Sequence, residues 1–560
     1  MKQLIECVPN FSEGRDMSVI EKITDEIKNT EGVKLLDVDP GKATNRTVVT
    51  FVGEPDAVVD AAYKAIKKAG ELIDMSKHSG EHPRMGATDV CPFIPISNIS
   101  MEETVKYAKE LAKRVGETLN IPVYLYEEAA TTPERRNLAT IRAGEYEGLE
   151  KKLKDPNWKP DFGETKFNKQ AGATVIGVRD FLVAYNINLN TSSTRRANSV
   201  AFDIREKGRV KREGDPVSGK IVRDENGNPV RVPGTLKYVK AIGWYIEEYG
   251  IAQVSMNLTN INETPLHIAF EEADKSATKR GMRVTGSELI GLVPKKVMIE
   301  AGKYFLKKQN RSTGIPEEDI IFIAIKSMGL DDLKPFDPKK KIIEYLLEAD
   351  NGKKLIDLTI KDFADETSRE SPAPGGGSIA AYSGALGISL GTMVANLSAH
   401  KRGWDARWEE FSNWAEKGQA IKDKLLYLVD EDTNAFNKII DAVRLPKGTD
   451  EEKAFRKNAM NEATKYAIMV PFDVMKTSFE ALDVLEYMAK EGNPNSVSDA
   501  GVGVLAIKTA VEGAYMNVKI NCKGLDDMDF VNDILGKADK LLTDTDTRAK
   551  DILDIVYGKI

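Results

Sequence analysis

The alternation of hydrophobic and polar positions changes character near residue 370 of the chain, which has 560 residues. Up to that point, short runs of β-branched and aromatic residues alternate with stretches whose apolar residues recur at helical spacing. The runs are typical of strands and the stretches of amphipathic helices, so their order predicts helices layered on sheets. Beyond that point the strand signal almost vanishes, and we expect about four or five long helices.

These changes of pattern predict four segments. A first α/β subdomain is expected at 1–175, a second at 176–330, a charged and partly helical connector at 331–365, and an all-helical domain at 366–560. In the first subdomain, strands are expected at 4–8, 33–39, 47–52, 90–96 and 122–126, and helices at 17–28, 56–72, 101–119 and from about 132. In the second, we expect strands at 181–186 and 252–257, a basic hairpin at 209–234 and a helix at 265–279.

Composition and charge exclude several classes of protein. The chain is 41% hydrophobic and 30% charged with a formal net charge of -7, as in soluble globular proteins. Proteins that bind nucleic acids usually show a basic excess, so we expect no nucleic-acid partner. The three cysteines are far apart, which argues against a disulfide framework or a zinc ribbon. Because the first residues lack the apolar run of a signal peptide, we expect a cytoplasmic protein.

Residues 371–400 contain no Asp, Glu, Lys or Arg, and thirty residues are enough to cross a bilayer. Two prolines, three consecutive glycines and several serines nevertheless dilute the apolar content of this stretch. Such a composition is far from that of a typical membrane-spanning helix, so we expect no membrane partner.

The stretch KHSGEHPRMGATD, which begins at Lys77, gathers two of the four histidines of the chain. His78, Glu81 and His82 spell H-x-x-E-H, a pattern in which two histidines on a helix bind zinc and the glutamate acts as the base. Gly80 and the proline after His82 disfavour a continuous helix through both imidazoles, and the sequence offers no third ligand. We therefore interpret the stretch as a polar loop without a metal, and a zinc hydrolase is the alternative.

Two further loops concentrate polar groups, PNFSEG at 9–14 and DVDPGKATNR at 37–46. Each lies at the end of a predicted strand, as the histidine-containing loop does. Ligand sites in layered α/β domains favour such loops, so the three loops can line a common pocket. Ordinary turns would give the same pattern, and both interpretations stay open.

Asp432 interrupts the apolar face of the helix that is predicted at 408–444. A carboxylate in such a face must be paired or have its pKa raised by desolvation, and either condition suits proton transfer. Asp430 is rotated by about 200° around the helix and is expected to face outward. A buried acid that only satisfies a cap or an ion pair is the alternative interpretation of Asp432. The apolar face is taken as Leu425, Val429, Phe436, Ile439 and Val443.

The run PAPGGGS at 372–378 leads into the first helix of the helical domain. Glycines and Ser378 at a helix N-terminus expose backbone N–H groups that can bind an anion. The run lacks the lysine of a P-loop and the spacing of a dinucleotide-binding motif, so a plain linker explains it equally well. The basic hairpin at 209–234 is interpreted as a solvated flap in preference to a phosphate site.

Several long motifs are similar to those of a known enzyme family. CVPNFSEGRD, DVDPGKATNRTVVTFVGEP, HSGEHPRMGATDVCPFIP, PDFG, GATVIGVRDFLVAYNINL and AIGWYIEEYGIAQVSMNL resemble glutamate formimidoyltransferase. SPAPGGGSIAAYSGALG, LVDEDTNAF, RLPKGTDEEK and GAYMNVKIN resemble formimidoyltetrahydrofolate cyclodeaminase. Nearly the whole chain thus resembles the bifunctional formimidoyltransferase-cyclodeaminases, which implies an α/β transferase part with ferredoxin-like layers followed by an all-α helical bundle.

The resemblance implies two consecutive reactions of histidine breakdown. The formimino group of N-formimino-L-glutamate passes to N5 of tetrahydrofolate, and L-glutamate is released. The group then cyclises onto N10, which gives 5,10-methenyltetrahydrofolate and ammonia. The resemblance also implies polyglutamylated tetrahydrofolate as co-substrate, no tightly bound cofactor or metal, and a homo-oligomer. A folate-binding protein without turnover is the non-enzymatic alternative.

The family also implies the residues of both sites. His82 corresponds to the base of the transferase, which suits a side chain that titrates near neutral pH. Asp432 corresponds to the acid or base of the cyclodeaminase and is also the residue that the helical pattern selects. The folate-binding segment corresponds to GETKFNKQAG at 163–172. The expected substrate and folate contacts are Asn10, Asp39, Asn45, Arg46, Arg84, Gly163, Phe167, Gly172, Gly375, Gly376, Gly377 and Ser378.

Overall fold

The computed structural model describes residues 3–42, 44–80, 83–214, 218–348, 354–371 and 373–560. Contacts group the chain into two units, one made of 1–298 with 328–349 and the other of 299–327 with 350–560. The first is an α/β unit with two larger sheets and the second is helical, which confirms the predicted fold class. The predicted domain boundaries at residues 175, 330 and 365 stay predictions.

The first sheet of the α/β unit has seven strands, and its pairing is mixed. Thr174–Val178 lies parallel to both of its neighbours, whereas the other pairs are antiparallel. Successive strand residues point to opposite faces of the sheet. Leu125 and Tyr126 belong to different apolar clusters, so both faces of the sheet are partly covered. The other strands are Leu4–Cys7, Asn10–Phe11, Val33–Gly41, Arg46–Gly53, Thr88–Ser97 and Val123–Glu127. The helices are Met17–Lys28, Pro55–Leu72, Met101–Leu119, Leu138–Arg142 and Glu145–Leu153.

Capping residues fix two of these helices at their predicted ends. Asp16 accepts a hydrogen bond from the backbone N–H of Ser18. Ser100 and Glu103 form a reciprocal capping box. Both arrangements satisfy N–H groups of the first turn that no helical carbonyl reaches. The helices accordingly begin at residues 17 and 101 as predicted, and they also end at the predicted residues 28 and 119.

The second sheet has four antiparallel strands. Its order from one edge is Val239–Ile246, Ile251–Leu258, Val183–Leu189 and Val284–Ile290. The predicted basic hairpin forms two short ladders, Arg209–Val210 with Arg231–Val232 and Arg212–Glu213 with Lys220–Ile221. The helices are Thr194–Ile204, Leu266–Thr278, Pro338–Lys341 and Ile343–Glu348.

The second unit is built on five long helices around one apolar core. Glu317–Met328 and Ile360–Thr367 are shorter helices, and Lys295–Lys308 begins in the first unit and ends in the second. The long helices are Gly376–Ala399, Trp408–Arg444, Asp450–Glu491, Val497–Cys522 and Met528–Tyr557.

Among the described residues, Gly376–Ala399 is the one helix that is long and apolar enough to cross a membrane. Inside the protein, 61% of its most apolar window is buried. Burial in the core of the helical unit accounts for the lack of charged residues that the sequence shows there.

The apolar face predicted for the helix 408–444 is wrong at Phe436 and Val443, whereas Ile439 packs against the core as predicted. Phe436 and Val443 are each 42% exposed, whereas Ala435 and Ala442 are buried. The small alanine side chains let neighbouring helices approach closely, so the buried face follows them and not the larger side chains one position later. Asp432 nevertheless lies on the partly buried side, as described below.

Candidate functional site

Asn45 joins the three polar loops of the α/β unit. Its Oδ1 accepts a hydrogen bond from the backbone N–H of Gly14 at 3.0 Å, and its Nδ2 donates to the carbonyl of Ser79 at 3.0 Å. The backbone of Asn45 has a φ of 48°, a left-handed conformation that asparagine tolerates better than most residues. The three predicted loops therefore meet, although parts of the first two belong to the strands Asn10–Phe11 and Val33–Gly41.

His78 uses both ring nitrogens within the protein. Arg84 donates from Nε to Nδ1 of His78 at 3.2 Å, so Nδ1 must be the acceptor. The proton of the neutral ring is then on Nε2, which lies 2.9 Å from the carbonyl oxygen of Asn45 and donates to it. His78 thus holds the loop together and is not available as a base.

Arg84 ties the same loop to the helix Glu145–Leu153. Its guanidinium is nearly buried and pairs with Glu145 at 2.9 Å and with Glu147 at 2.6 Å. The hydrogen bonds from Arg84 lower the pKa of the Glu147 carboxyl below its ordinary value. These groups line a polar cavity of about 470 Å³ next to Gly80.

Glu81 and His82 lie outside the described residues. The role expected of His82 therefore stays a prediction, and so does the alternative zinc pattern in which both residues take part. Among the residues that the structure describes, no group of three or more His, Cys, Asp or Glu side chains is arranged to bind a metal ion.

Asn10, Asp39 and Arg46 lie on one face of the first sheet. Asn10 and Asp39 lie on the two strands that flank Arg46–Gly53, and each is paired with Val48 of that strand. Arg46 precedes Val48 by two residues on the same strand. Because strand residues alternate between faces, all three project to the same side. Burial lowers the pKa of Arg46, while the nearby carboxylates of Asp89 and Asp39 act in the opposite direction.

The expected folate-binding segment at 163–172 lies directly against the histidine-containing loop. Gly172 forms an isolated bridge with Gly86, and a β-carbon at Gly172 would lie 2.2 Å from the carbonyl oxygen of Met85. The φ of 69° at Gly172 also favours glycine. Gly163 likewise has a positive φ of 85°. Glycine is therefore required at both positions because neighbouring backbone segments of the protein pack against them.

Phe167 lies within this segment and packs on Tyr146, with ring centroids 5.4 Å apart. The hydroxyl of Tyr146 donates to the carbonyl of Lys169 at 2.5 Å. These contacts connect the segment to the helix that carries Glu145 and Glu147.

In the helical unit, Asp432 is held by the first turn of the helix Gly376–Ala399. Its Oδ2 accepts a hydrogen bond from the backbone N–H of Ser378 at 2.9 Å and lies 3.1 Å from the Ser378 hydroxyl. The single proton of that hydroxyl is shared between Oδ2 and the carbonyl oxygen of Val429, which is 3.0 Å away. Burial raises the pKa of Asp432, and the hydrogen bonds from Ser378 partly offset that rise. Among the described residues, Oδ1 of Asp432 accepts no hydrogen bond and is the oxygen left for a ligand.

The glycines of the PAPGGGS run make room for this carboxylate. A β-carbon at Gly377 would lie 2.2 Å from Oδ1 of Asp432, which is far inside van der Waals contact. Gly375 is the N-cap of the helix, and a β-carbon at Gly376 would lie 3.5 Å from Nδ2 of Asn517. The structure therefore brings together Gly375, Gly376, Gly377, Ser378 and Asp432, with Asn517 beside them.

Asn517 was not selected from the sequence, although it lies within the GAYMNVKIN motif. Its amide donates to the carbonyl of Gly513 at 2.9 Å, which fixes the side chain beside the glycines. Glu431 is a second residue that the sequence did not select. It is buried and accepts hydrogen bonds from Tyr466 and Asn434.

Asp430 does not face outward as expected. Its Oδ1 accepts a hydrogen bond from the backbone N–H of Leu355 at 2.6 Å, and burial raises its pKa. The turn Leu355–Asp357 packs on that side of the helix, and the local pattern of the helix carries no information about this long-range contact.

Three family models match the chain in succession. The description "Formiminotransferase domain, N-terminal subdomain" covers residues 4–179, "Formiminotransferase domain" covers 184–348, and "Formiminotransferase-cyclodeaminase" covers 359–540. The matches span most of the chain and follow the order that the motifs predict.

Named relatives match both halves. A formimidoyltransferase-cyclodeaminase of Mus musculus is 44% identical over 555 residues, which are 99% of this chain and 98% of the relative. A glutamate formimidoyltransferase of Streptococcus pyogenes is 42% identical over 310 residues, 55% of this chain and 95% of the relative. A methenyltetrahydrofolate cyclohydrolase of Methylorubrum extorquens is 37% identical over 202 residues, 36% of this chain and 97% of the relative.

Proposed function

The chain belongs to the formimidoyltransferase-cyclodeaminase family, and we propose that it catalyses two consecutive steps of folate chemistry at two separate sites. In the first step, the formimino group of N-formimino-L-glutamate is transferred to tetrahydrofolate, and L-glutamate leaves. In the second, 5-formiminotetrahydrofolate cyclises to 5,10-methenyltetrahydrofolate with loss of ammonia. The enzyme is therefore a transferase and an ammonia lyase.

The transfer step requires N5 of tetrahydrofolate to lose a proton as it attacks the amidine carbon. We assign the removal of this proton to His82, because a histidine side chain titrates near neutral pH and can act as a base. Three observations support this assignment: both ring nitrogens of His78 are hydrogen-bonded, Arg84 anchors the loop, and the segment 163–172 lies against the loop. Glutamate leaves as the bond between its nitrogen and the amidine carbon breaks, and that nitrogen takes up the proton that N5 has lost.

The cyclisation step requires two proton transfers. N10 loses a proton as it attacks the amidine carbon, and the departing nitrogen gains one so that it can leave as ammonia. Asp432 is proposed to carry one of these protons on Oδ1, since Ser378 holds Oδ2. This arrangement of Asp432 with Ser378 and Gly377 is the observation that most strongly supports the assignment, because it leaves a carboxyl oxygen of raised pKa free.

The residues that are expected to contact the substrates are divided between the two sites. Asn10, Asp39, Asn45, Arg46 and Arg84 are assigned to the transferase site together with the segment 163–172. Gly375, Gly376 and Ser378 are assigned to the cyclodeaminase site, where the backbone near the helix N-terminus favours negative charge. Polyglutamylated tetrahydrofolate is the proposed co-substrate, and we propose that no tightly bound cofactor takes part.

A homo-oligomer is proposed on the basis of apolar surface. Met516 and Ile520 lie one helical turn apart on Val497–Cys522 and are 66% and 62% exposed. Neighbouring large apolar side chains on a surface are typical of an interface. Light scattering of the purified protein tests this, and a monomer at all concentrations would contradict it.

A cytoplasmic location is also proposed.

The two activities are tested by supplying tetrahydrofolate and N-formimino-L-glutamate to the purified protein. Glutamate, ammonia and 5,10-methenyltetrahydrofolate should then appear in equal amounts, and the last can be followed by its absorbance. Failure to form any of the three products would contradict the proposed function.

A further inference from the structure

The helical unit contains a cavity of about 600 Å³, which is separate from the Asp432 site. It lies between the C-terminal half of the helix Gly376–Ala399, the helix Trp408–Arg444 and the segment around Arg311. Its polar lining includes Arg311, Asn396, His400, Gln419 and Lys422, and its apolar lining includes Met393 and Leu397.

The cavity brings positive groups together without an acid among its lining residues. Arg311 lies close enough to His400 to lower the pKa of the imidazole, although burial lowers it more. Among the described residues, the guanidinium of Arg311 makes no hydrogen bond or ion pair. Lys422 contacts Asp423 at 3.1 Å outside the lining and donates to Gln419 at 2.6 Å. Arg311 is exposed, and its free guanidinium can form charge-assisted hydrogen bonds with an anion that enters the cavity.

His400 presents a hydrogen-bond donor in this cavity. The backbone N–H of Ser312 donates to Nε2 of His400 at 3.2 Å, so Nε2 is the acceptor. The proton of the neutral ring is therefore on Nδ1. That N–H has no hydrogen-bond partner within the described part of the chain and can donate to a bound carboxylate.

The floor of the cavity is rigid, and it leaves one polar atom unsatisfied. The amides of Asn396 and Gln419 both donate to the carbonyl of Gly314, at 2.8 and 3.2 Å. Thr313, which precedes Gly314, is fixed because its backbone N–H donates to the hydroxyl of Ser412 at 3.0 Å. Because Nδ2 of Asn396 faces a carbonyl, its Oδ1 cannot exchange places with it. This buried Oδ1 has no hydrogen-bond donor among the described residues, and an N–H group of a ligand would supply one.

We propose that this cavity binds a glutamyl group, that is, a carboxylate with a nearby N–H donor and a short methylene chain. The carboxylate pairs with Arg311 and the Nδ1–H of His400, the N–H group donates to Asn396, and the methylenes lie on Met393 and Leu397. Two sources carry this group: free L-glutamate, and the glutamyl end of a folate. Binding here is independent of turnover at either proposed active site.

The chain has only four histidines, so His400 can serve as a local reporter. Its imidazole signal in an NMR spectrum of the full-length protein is assigned by its loss in His400→Gln. L-glutamate and p-aminobenzoyl-L-glutamate are titrated separately, with acetate as the simple anion. Arg311→Gln is compared with Lys447→Gln, which changes an exposed lysine elsewhere in the same unit.

We expect saturable shifts of the His400 signal, and Arg311→Gln should weaken binding about tenfold or more through loss of a charge-assisted hydrogen bond. Lys447→Gln should leave the affinity unchanged, and both variants should keep both enzymatic activities. Preference for L-glutamate identifies the free amino acid as the source, and preference for the acylated compound identifies a folate. The proposal is overturned if neither compound shifts the signal, if acetate shifts it equally, or if Arg311→Gln binds as tightly as the unchanged protein.

Discussion

The carboxylate of Asp432 lies against the Cα of Gly377. A β-carbon at residue 377 would be 2.2 Å from Oδ1 and 2.8 Å from Oδ2 of Asp432. Only glycine leaves room for the carboxylate at this end of the helix Gly376–Ala399. The glycine-rich run, which the sequence alone allows to be a plain linker, therefore contacts one acid 55 positions later in the chain.

Gly377→Ala should displace the carboxylate and lower cyclodeaminase activity by about 100-fold, the usual effect of misplacing a reacting group by about 1 Å. Transferase activity should persist, because Gly377 is not assigned to that site. Gly536→Ala is a matched control, since a β-carbon at Gly536 meets nothing within 4 Å. Equal cyclodeaminase rates in Gly377→Ala and in the control would refute the role of this contact.

Ser378→Ala should shift the pH profile of the cyclodeaminase. The Ser378 hydroxyl holds the pKa of Asp432 down against the effect of burial, so its removal should raise that pKa further. The limb of the kcat/KM profile that Asp432 governs should then move to higher pH, whether the carboxyl acts as acid or as base. An unchanged profile would mean that Asp432 does not govern either limb.

Arg84→Lys should lower transferase kcat/KM by about tenfold or more, because a misplaced loop misplaces the group it carries. Lysine cannot reproduce the fork that pairs with Glu147 while Nε donates to His78. Cyclodeaminase activity should stay constant. Arg114→Lys is the control, since Arg114 pairs with Asp60 at 3.0 Å on a more exposed surface. A similar loss in both variants would point to a general effect of the substitution.

Glu6→Gln should stabilise the α/β unit at alkaline pH and have little effect at pH 5. Burial raises the pKa of Glu6 from 4.5 to about 7. The folded state thus holds a proton that the unfolded state has lost, so wild-type stability falls as pH rises from about 4.5 to about 7 and is level above that. The variant should gain on the order of 3 kcal/mol in unfolding free energy at pH 8.

Thermal unfolding at pH 5 and pH 8 measures this effect. Glu31→Gln changes an exposed glutamate and should leave the midpoint unchanged at both pH values. If Glu6→Gln raised the midpoint equally at both, the gain would come from something other than the ionisation of Glu6.

Local signals allowed much of the fold to be predicted. The N-terminal ends of the helices 17–28 and 101–119 follow from caps that lie beside them in sequence, at Asp16 and Ser100. The order of strands in the first sheet was not predictable in this way. Leu4–Cys7 pairs with both Arg46–Gly53 and Thr88–Ser97, and these pairings depend on contacts between distant segments.

In the candidate site, too, local patterns predicted some residues, whereas contacts between distant segments determine others. The helical pattern pointed to Asp432 although two members of the assumed apolar face, Phe436 and Val443, are exposed. The outward position expected of Asp430 was wrong because Leu355 approaches from a distant part of the chain. Nor does any local pattern reveal that Asn45 connects three loops, which requires their positions in space.

The central claim is that two reactions take place at two sites, one depending on His82 and the other on Asp432. The most direct test measures both activities in His82→Ala and in Asp432→Ala, with folding checked by circular dichroism. Transfer is followed by the release of glutamate, and cyclisation by methenyltetrahydrofolate formed from 5-formiminotetrahydrofolate. We predict that His82→Ala loses only transfer and Asp432→Ala loses only cyclisation. Loss of both activities in either folded variant would contradict the claim.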